Sequence, residues 1–227
     1  MRVFKFGGAS VKDATSFINL SDILLNQKDG LIVIVSAMGK TTNKLEKIWE
    51  NYIKKDFPSA ALTFNEIVAY HKDIYNDLKL DADQKFIKRF NSLCDKLSAF
   101  ISEQKDFETN SSYDKIVSFG ELWSTTILSH FIENNGITNT WIDARKLIKT
   151  SSHFQEARVN WTESKKLIKK EIKNNNGVYV SQGFIGSTSK DQTTTLGREG
   201  SDYSAAIFAW AVDASEVVIW KDVKGLL

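Results

Sequence analysis

The stretch RVFKFGGAS, residues 2–10, decides how the rest of the chain reads. Val3, Phe4 and Phe6 are apolar in the manner of a buried strand, yet Lys5 stands among them. Gly7 and Gly8 then remove every side chain from the next two positions. A strand, a cation, two glycines and a following helix make a seat for a phosphate. The glycines let backbone N–H groups approach an anion, and the helix adds its positive N-terminal end. The competing reading is a lysine on an exposed or edge strand, since lysines are almost never fully buried unpaired.

Working outward, Phe17, Ile18, Ile23 and Leu24 mark an amphipathic helix. LIVIV, residues 31–35, is an unbroken apolar run of the kind found in a strand covered on both faces, as in a parallel sheet. Between about residues 44 and 110 the periodicity is helical, with Ile67, Ile74, Phe86, Phe90 and Leu97 at helical spacing. This predicts a helical insertion, a hairpin of long helices broken near Asp81. KIVSFGE (115–121) leads into a helix carrying Leu122, Ile127, Leu128 and Phe131. Strands return in TNTWIDA (138–144), GVYVSQGFIG (177–186) and SEVVIWKDV (215–223), separated by helices near 161–173 and 202–213. Such alternation predicts an α/β fold, a three-layer αβα sandwich with a mainly parallel central sheet, as one domain over residues 1–227.

The composition excludes several classes. A net charge of +2 over 227 residues is too balanced for a nucleic-acid or membrane surface. A single cysteine, Cys94, permits no internal disulfide and fits a reducing compartment. Charged Arg2 and Lys5 leave no apolar core for a signal peptide, and no apolar run approaches the ~20 residues of a bilayer span. A cytoplasmic protein is expected.

Ligands of open α/β sheets bind beyond the carboxyl ends of the strands. Polar stretches fall at four such ends: Gly7 to Ser10, Ser36 to Asn43, Gly183 to Ser187, and Lys221-Asp222. A fifth, TTTLGREGSD (193–202), lies between a strand and a helix. VSAMGKTTN (35–43) contains Gly-Lys-Thr, but the phosphate loop of nucleotide hydrolases needs another glycine where Ile34 stands. Asn43, with Glu46 three residues on, reads as a capping box. That leaves the hydroxyls of Ser36 and Thr42 free to face a ligand. Glu121 reads either as a helix first-turn acid or as a site residue. Arg198 is an exposed loop residue or a ligand clamp, and Ser201 and Asp202 are helix caps or part of the same site.

KFGGAS, VSAMGKTTN, FGELWS, QGFIGS, TTTLGREGSDYSAA and IWKDVKG together resemble the aspartate kinases, within the wider amino-acid kinase family. The likeness covers nearly the whole chain and is weakest between about 45 and 110. It implies the amino-acid kinase fold and ATP-dependent phosphorylation of the L-aspartate β-carboxylate, the first step of lysine, threonine and methionine biosynthesis. It implies ATP and Mg²⁺ as cofactors. Lys5, Phe6, Gly7 and Gly8 match the segment holding the ATP phosphates, and Lys221 and Asp222 stand where a nucleotide-binding segment begins. Ser36 and Thr42 match hydroxyls near aspartate, and Glu121 matches the acid that pairs with its α-amino group. Arg198 matches the α-carboxylate clamp, with Ser201 nearby. Asp202 matches the carboxylate that orients the active-site lysines.

Two departures stand out. Many relatives have Gly at position 199 and Thr at position 221, where this chain has Glu199 and Lys221. Relatives also continue past this point with an adenine-holding segment and regulatory ACT domains. The 227 residues therefore read as a catalytic domain with an incomplete nucleotide lobe and no ACT domain. A related carboxylate or amino-acid kinase, and an aspartate-binding fragment without a complete ATP site, remain open as alternatives. So does assembly into a homo-oligomer.

Overall fold

The computed structural model describes residues 1–27, 30–103, 109–173 and 176–221. Its frame is a five-stranded, wholly parallel sheet in the order β3-β4-β2-β1-β7. The strands are β1 (Arg2–Phe6), β2 (Leu31–Val35), β3 (Asn139–Ile142), β4 (Val178–Gln182) and β7 (Glu216–Trp220). A separate antiparallel pair joins β5 (Ile185–Ser187) to β6 (Thr193–Thr195). Every side chain of β2 is buried, as its unbroken apolar run requires. β1 lies between β2 and β7, so Lys5 occupies an interior strand opposite Ile34 and Ile219 and is only 6% exposed. The edge-strand reading of Lys5 is thereby excluded.

Alternation along β1 splits its side chains between the two sheet faces. Phe4 and Phe6 meet Trp220 in an aromatic cluster, with Phe6 stacked on the indole at 5.8 Å. Lys5 points to the other face. A 3-10 turn over Gly8–Val11 follows β1, and α1 (Ala14–Leu25) begins only after it, capped by the Asp13 carboxylate on the Ser16 N–H.

Five helices connect β2 to β3: α2 (Thr41–Ile53), α3 (Phe57–Asp77), α4 (Gln84–Ser102), α5 (Thr109–Val117) and α6 (Phe119–Asn134). α3 and α4 form the expected hairpin, and its break carries Lys79 in left-handed backbone with Leu80 plugged into the core. The predicted capping box does not form. α2 starts at Thr41 behind Lys40, placing Asn43 in the first turn. Glu46 instead accepts a hydrogen bond from the Tyr113 hydroxyl. After β3 come α7 (Ala144–Leu147) and α8 (Trp161–Glu171), and α9 (Gly200–Val212) precedes β7. α6 packs on β2, β3 and β4, while α9 packs on β1, β2 and β7, and helices cover both sheet faces. No helix among the described residues is long and apolar enough to cross a membrane.

Candidate active site

Because the sheet is parallel, β1, β2, β4 and β7 all end on one side, and the loops leaving them meet the first turns of α6 and α9. A cavity of about 620 Å³ opens there. Its lining includes Lys5, Ser36, Thr42, Glu121, Arg198 and Ser201. These six residues were singled out from four separate stretches of sequence, and the fold brings them to one wall. Phe6, Gly7, Gly8, Asp202 and Lys221 lie beside the cavity, and Phe6 turns its ring into the core. Asp222 lies outside the described residues.

Two loops interlock beneath the site. The Gly39 N–H donates to the Gly8 carbonyl at 3.0 Å. A Cβ on Gly8 would stand 2.7 Å from the Ala37 oxygen. Gly8 is therefore demanded by backbone crowding, whatever it does for a ligand. The Gly7 N–H already donates to the Trp220 carbonyl at 3.3 Å, extending the β1–β7 ladder. Gly8 thus lets the β1 loop lie against the loop after β2, whereas a Cβ on Gly7 would meet only ordinary contacts at 3.7 Å.

Asp202 organises the cations. It lies in the first turn of α9, with Ser201, and neither residue is its cap: Glu199 holds that position in left-handed backbone. Lys5 Nζ lies 2.7 Å from Asp202 Oδ1, and Lys221 Nζ lies 3.1 Å from Oδ2. Burial pulls the Asp202 carboxyl upward, but the two ammonium groups outweigh it and hold it below the usual carboxylate range. One carboxylate thus fixes two ammonium groups side by side at the strand ends.

Glu121 is the most unusual group present. It is 3% exposed, and its Oε1 accepts the Ala37 N–H at 3.1 Å. Its Oε2 is enclosed and has no hydrogen-bond partner among the described residues. Burial pushes the carboxyl up to about 8, against the Ala37 and Glu121 backbone N–H groups and the charge of Lys5. An unsatisfied buried acceptor costs about 1–3 kcal/mol, so a partner from outside the protein is favoured. Arg198 makes no ion pair or hydrogen bond with the described residues, which leaves its guanidinium free for an anion.

The cavity's other walls were not visible in the sequence. Asp114, buried on α5, accepts the N–H groups of Gln155 and Thr195 and the Thr195 hydroxyl. It thereby holds the 153–156 loop, which lines the cavity, against β6. Gly183 is packed so tightly that a Cβ would lie 2.6 Å from Ser201 Oγ. Gly183→Ala is expected to destabilise the fold by about 1–3 kcal/mol, as overpacking does. An unchanged urea midpoint contradicts the tight contact.

The pattern of the amino acid kinase family fits residues 1–227. The chain belongs to the amino acid kinase family. Within it, the chain is 31% identical over 232 residues to lysine-sensitive aspartokinase 3 of Escherichia coli strain K12, covering 99% of this chain and 49% of that protein. It is 33% identical to the chloroplastic bifunctional aspartokinase/homoserine dehydrogenase of Daucus carota, covering 99% of this chain and 25% of that one. The crystal structure of E. coli aspartokinase III with aspartate and ADP superposes with a TM-score of 0.89 at 30% identity, over 99% of this chain and 50% of that one. The same enzyme with lysine and aspartate gives 0.91. The chain thus spans about half the length of the E. coli relative. These matches agree with the amino-acid kinase fold expected from the sequence.

Proposed function

We propose that this amino acid kinase domain transfers the γ-phosphoryl group of ATP to the β-carboxylate of L-aspartate, giving 4-phospho-L-aspartate and ADP. This is the reaction that opens lysine, threonine and methionine biosynthesis. The observation that carries the reading is the cavity itself. An unpartnered buried carboxyl group, a free guanidinium and a lysine held by Asp202 all face one space. Glu121 Oε2 would take the substrate ammonium, Arg198 its α-carboxylate, and Ser36, Thr42 and Ser201 would offer hydroxyls between them. The likeness to an enzyme crystallised with aspartate supports this choice over other amino acids.

No general base is needed. The attacking carboxylate has an ordinary pKa of ~3.9 and is ionised at neutral pH. The obstacle is repulsion: two unit charges ~4 Å apart cost ~4 kcal/mol at an effective dielectric of ~20. Catalysis then consists of positioning and charge cancellation. A carboxylate oxygen bonds to phosphorus as the bond to the ADP oxygen breaks. Lys5 faces the phosphoryl group, with Lys221 held next to it by Asp202. No group of three or more His, Cys, Asp or Glu among the described residues forms a metal cage. Mg²⁺ would be held chiefly by the phosphates of ATP, where it would neutralise their charge.

Hydroxylamine trapping of the acyl phosphate tests the assignment. L-aspartate with Mg–ATP is expected to yield the aspartyl hydroxamate, and glutamate, acetylglutamate and nucleoside monophosphates are not expected to react. Calorimetric binding of aspartate without binding of Mg–ATP would favour an aspartate-binding domain that lacks a complete nucleotide site. Arg198→Ala is expected to weaken aspartate binding about tenfold, the modest loss of a charged hydrogen bond at an exposed residue. An unchanged affinity contradicts the clamp.

A further inference from the structure

Glu199 lines the cleft and Lys221 stands beside it, and each is explained by the other. Glu199 follows Arg198 directly and lines the cavity. Its backbone is left-handed, with φ 55 and ψ 22, a conformation uncommon for a residue bearing a Cβ. Its carboxylate lies 3.8 Å from Lys221 Nζ. Lys221, just beyond β7, in turn reaches Asp202 Oδ2 at 3.1 Å, and the other oxygen of Asp202 meets Lys5. Glu199, Lys221, Asp202 and Lys5 form a row of alternating charge along the strand ends. Asp202 first, and Glu199 after it, hold the Lys221 ammonium above the usual lysine range.

Removing Lys221 from this row leaves two carboxylates against one ammonium. The wall would then be net negative where the phosphates of ATP must lie. Removing both Lys221 and Glu199 leaves Asp202 paired with Lys5, which is neutral again. The two outer charges therefore matter as a pair.

We propose that Lys221 is a positioning residue that cancels the charge Glu199 brings to the phosphate end of the cleft, so that the nucleotide affinity lost with Lys221 is restored when Glu199 is lost as well. The proposal rests on the kinase reading above. It differs from a direct phosphate contact, for which the identity of residue 199 would not matter.

A double-mutant cycle on the full chain separates the two. Mg–ATP binding is measured by calorimetry for the unmodified protein, Lys221→Met, Glu199→Gln and the double variant. Lys221→Met is expected to weaken binding about tenfold, whereas Glu199→Gln, which leaves the row net positive, is expected to tighten it by up to about tenfold, and the double variant returns to within about threefold of the unmodified protein. Where turnover is measurable, the loss in Lys221→Met appears in KM for ATP and not in kcat. A double variant as weak as Lys221→Met, or a Lys221→Met protein of unchanged affinity, overturns the proposal while leaving the kinase reading intact. An unmodified protein that binds no Mg–ATP overturns both.

Discussion

Lys5→Met is expected to lower turnover by on the order of 10³-fold or more, the scale on which removal of a single charge-stabilising group acts in acyl and phosphoryl transfer. The fold is expected to survive. Methionine matches the length of the lysine stem at an interior strand position, and Asp202 keeps Lys221 as its partner, so no buried charge is orphaned. Aspartate affinity is expected to change little, because Glu121 and Arg198 hold the amino-acid head. Single-turnover kinetics beside calorimetry make the check. Turnover near the unmodified level in a folded Lys5→Met protein removes Lys5 from the chemistry.

The second large effect belongs to Glu121, and it carries a pH signature. With its carboxyl pushed up to about 8, the ligand-free protein holds a proton there at neutral pH. A substrate ammonium favours the ionised form, so binding near pH 7 should release a proton. Aspartate affinity then rises with pH by up to about tenfold per unit and flattens above about 8. Glu121→Gln keeps the oxygen that accepts the Ala37 N–H and loses the charge. It is expected to weaken aspartate binding about tenfold to a hundredfold, the worth of a buried hydrogen bond to a charged group at about 1.5–3 kcal/mol. Proton release, read as a dependence of calorimetric heat on the buffer's ionisation enthalpy, should vanish with it.

The same substitution has the opposite effect on stability. The folded pKa lies above the ordinary glutamate value of 4.5, so the group's contribution to stability is full below about 4.5 and is lost as pH rises toward about 8. Glu121→Gln should therefore melt higher than the unmodified protein at pH 8 while binding aspartate worse. A variant that binds normally, or loses stability at pH 8, contradicts the role given to Glu121.

Much of the fold was legible because its signals are local. The apolar run of β2 and the two-residue alternation around Lys5 are set by burial on a sheet and need no knowledge of partners. Lys5, Glu121 and Arg198 lie at a strand end or helix start, where a parallel sheet collects its loops, and the likeness of their motifs to the aspartate kinases joined them into one site. The rest depends on contacts far apart in sequence. Asp114 serves backbone N–H groups 41 and 81 residues away, and nothing near it in the chain announces them. Glu46 looks like half of a capping box, yet its partner is Tyr113, 67 positions on. Glu199 and Lys221 read as two unrelated departures until the fold sets their charges side by side.

The most direct measurement is diffraction from crystals of the chain grown with L-aspartate. The expected density places the ammonium on Glu121 Oε2, the α-carboxylate at the Arg198 guanidinium and the β-carboxylate toward Lys5. Aspartate bound elsewhere, or bound with its β-carboxylate turned to Arg198 and away from Lys5, would contradict the shared cleft on which the proposed chemistry depends.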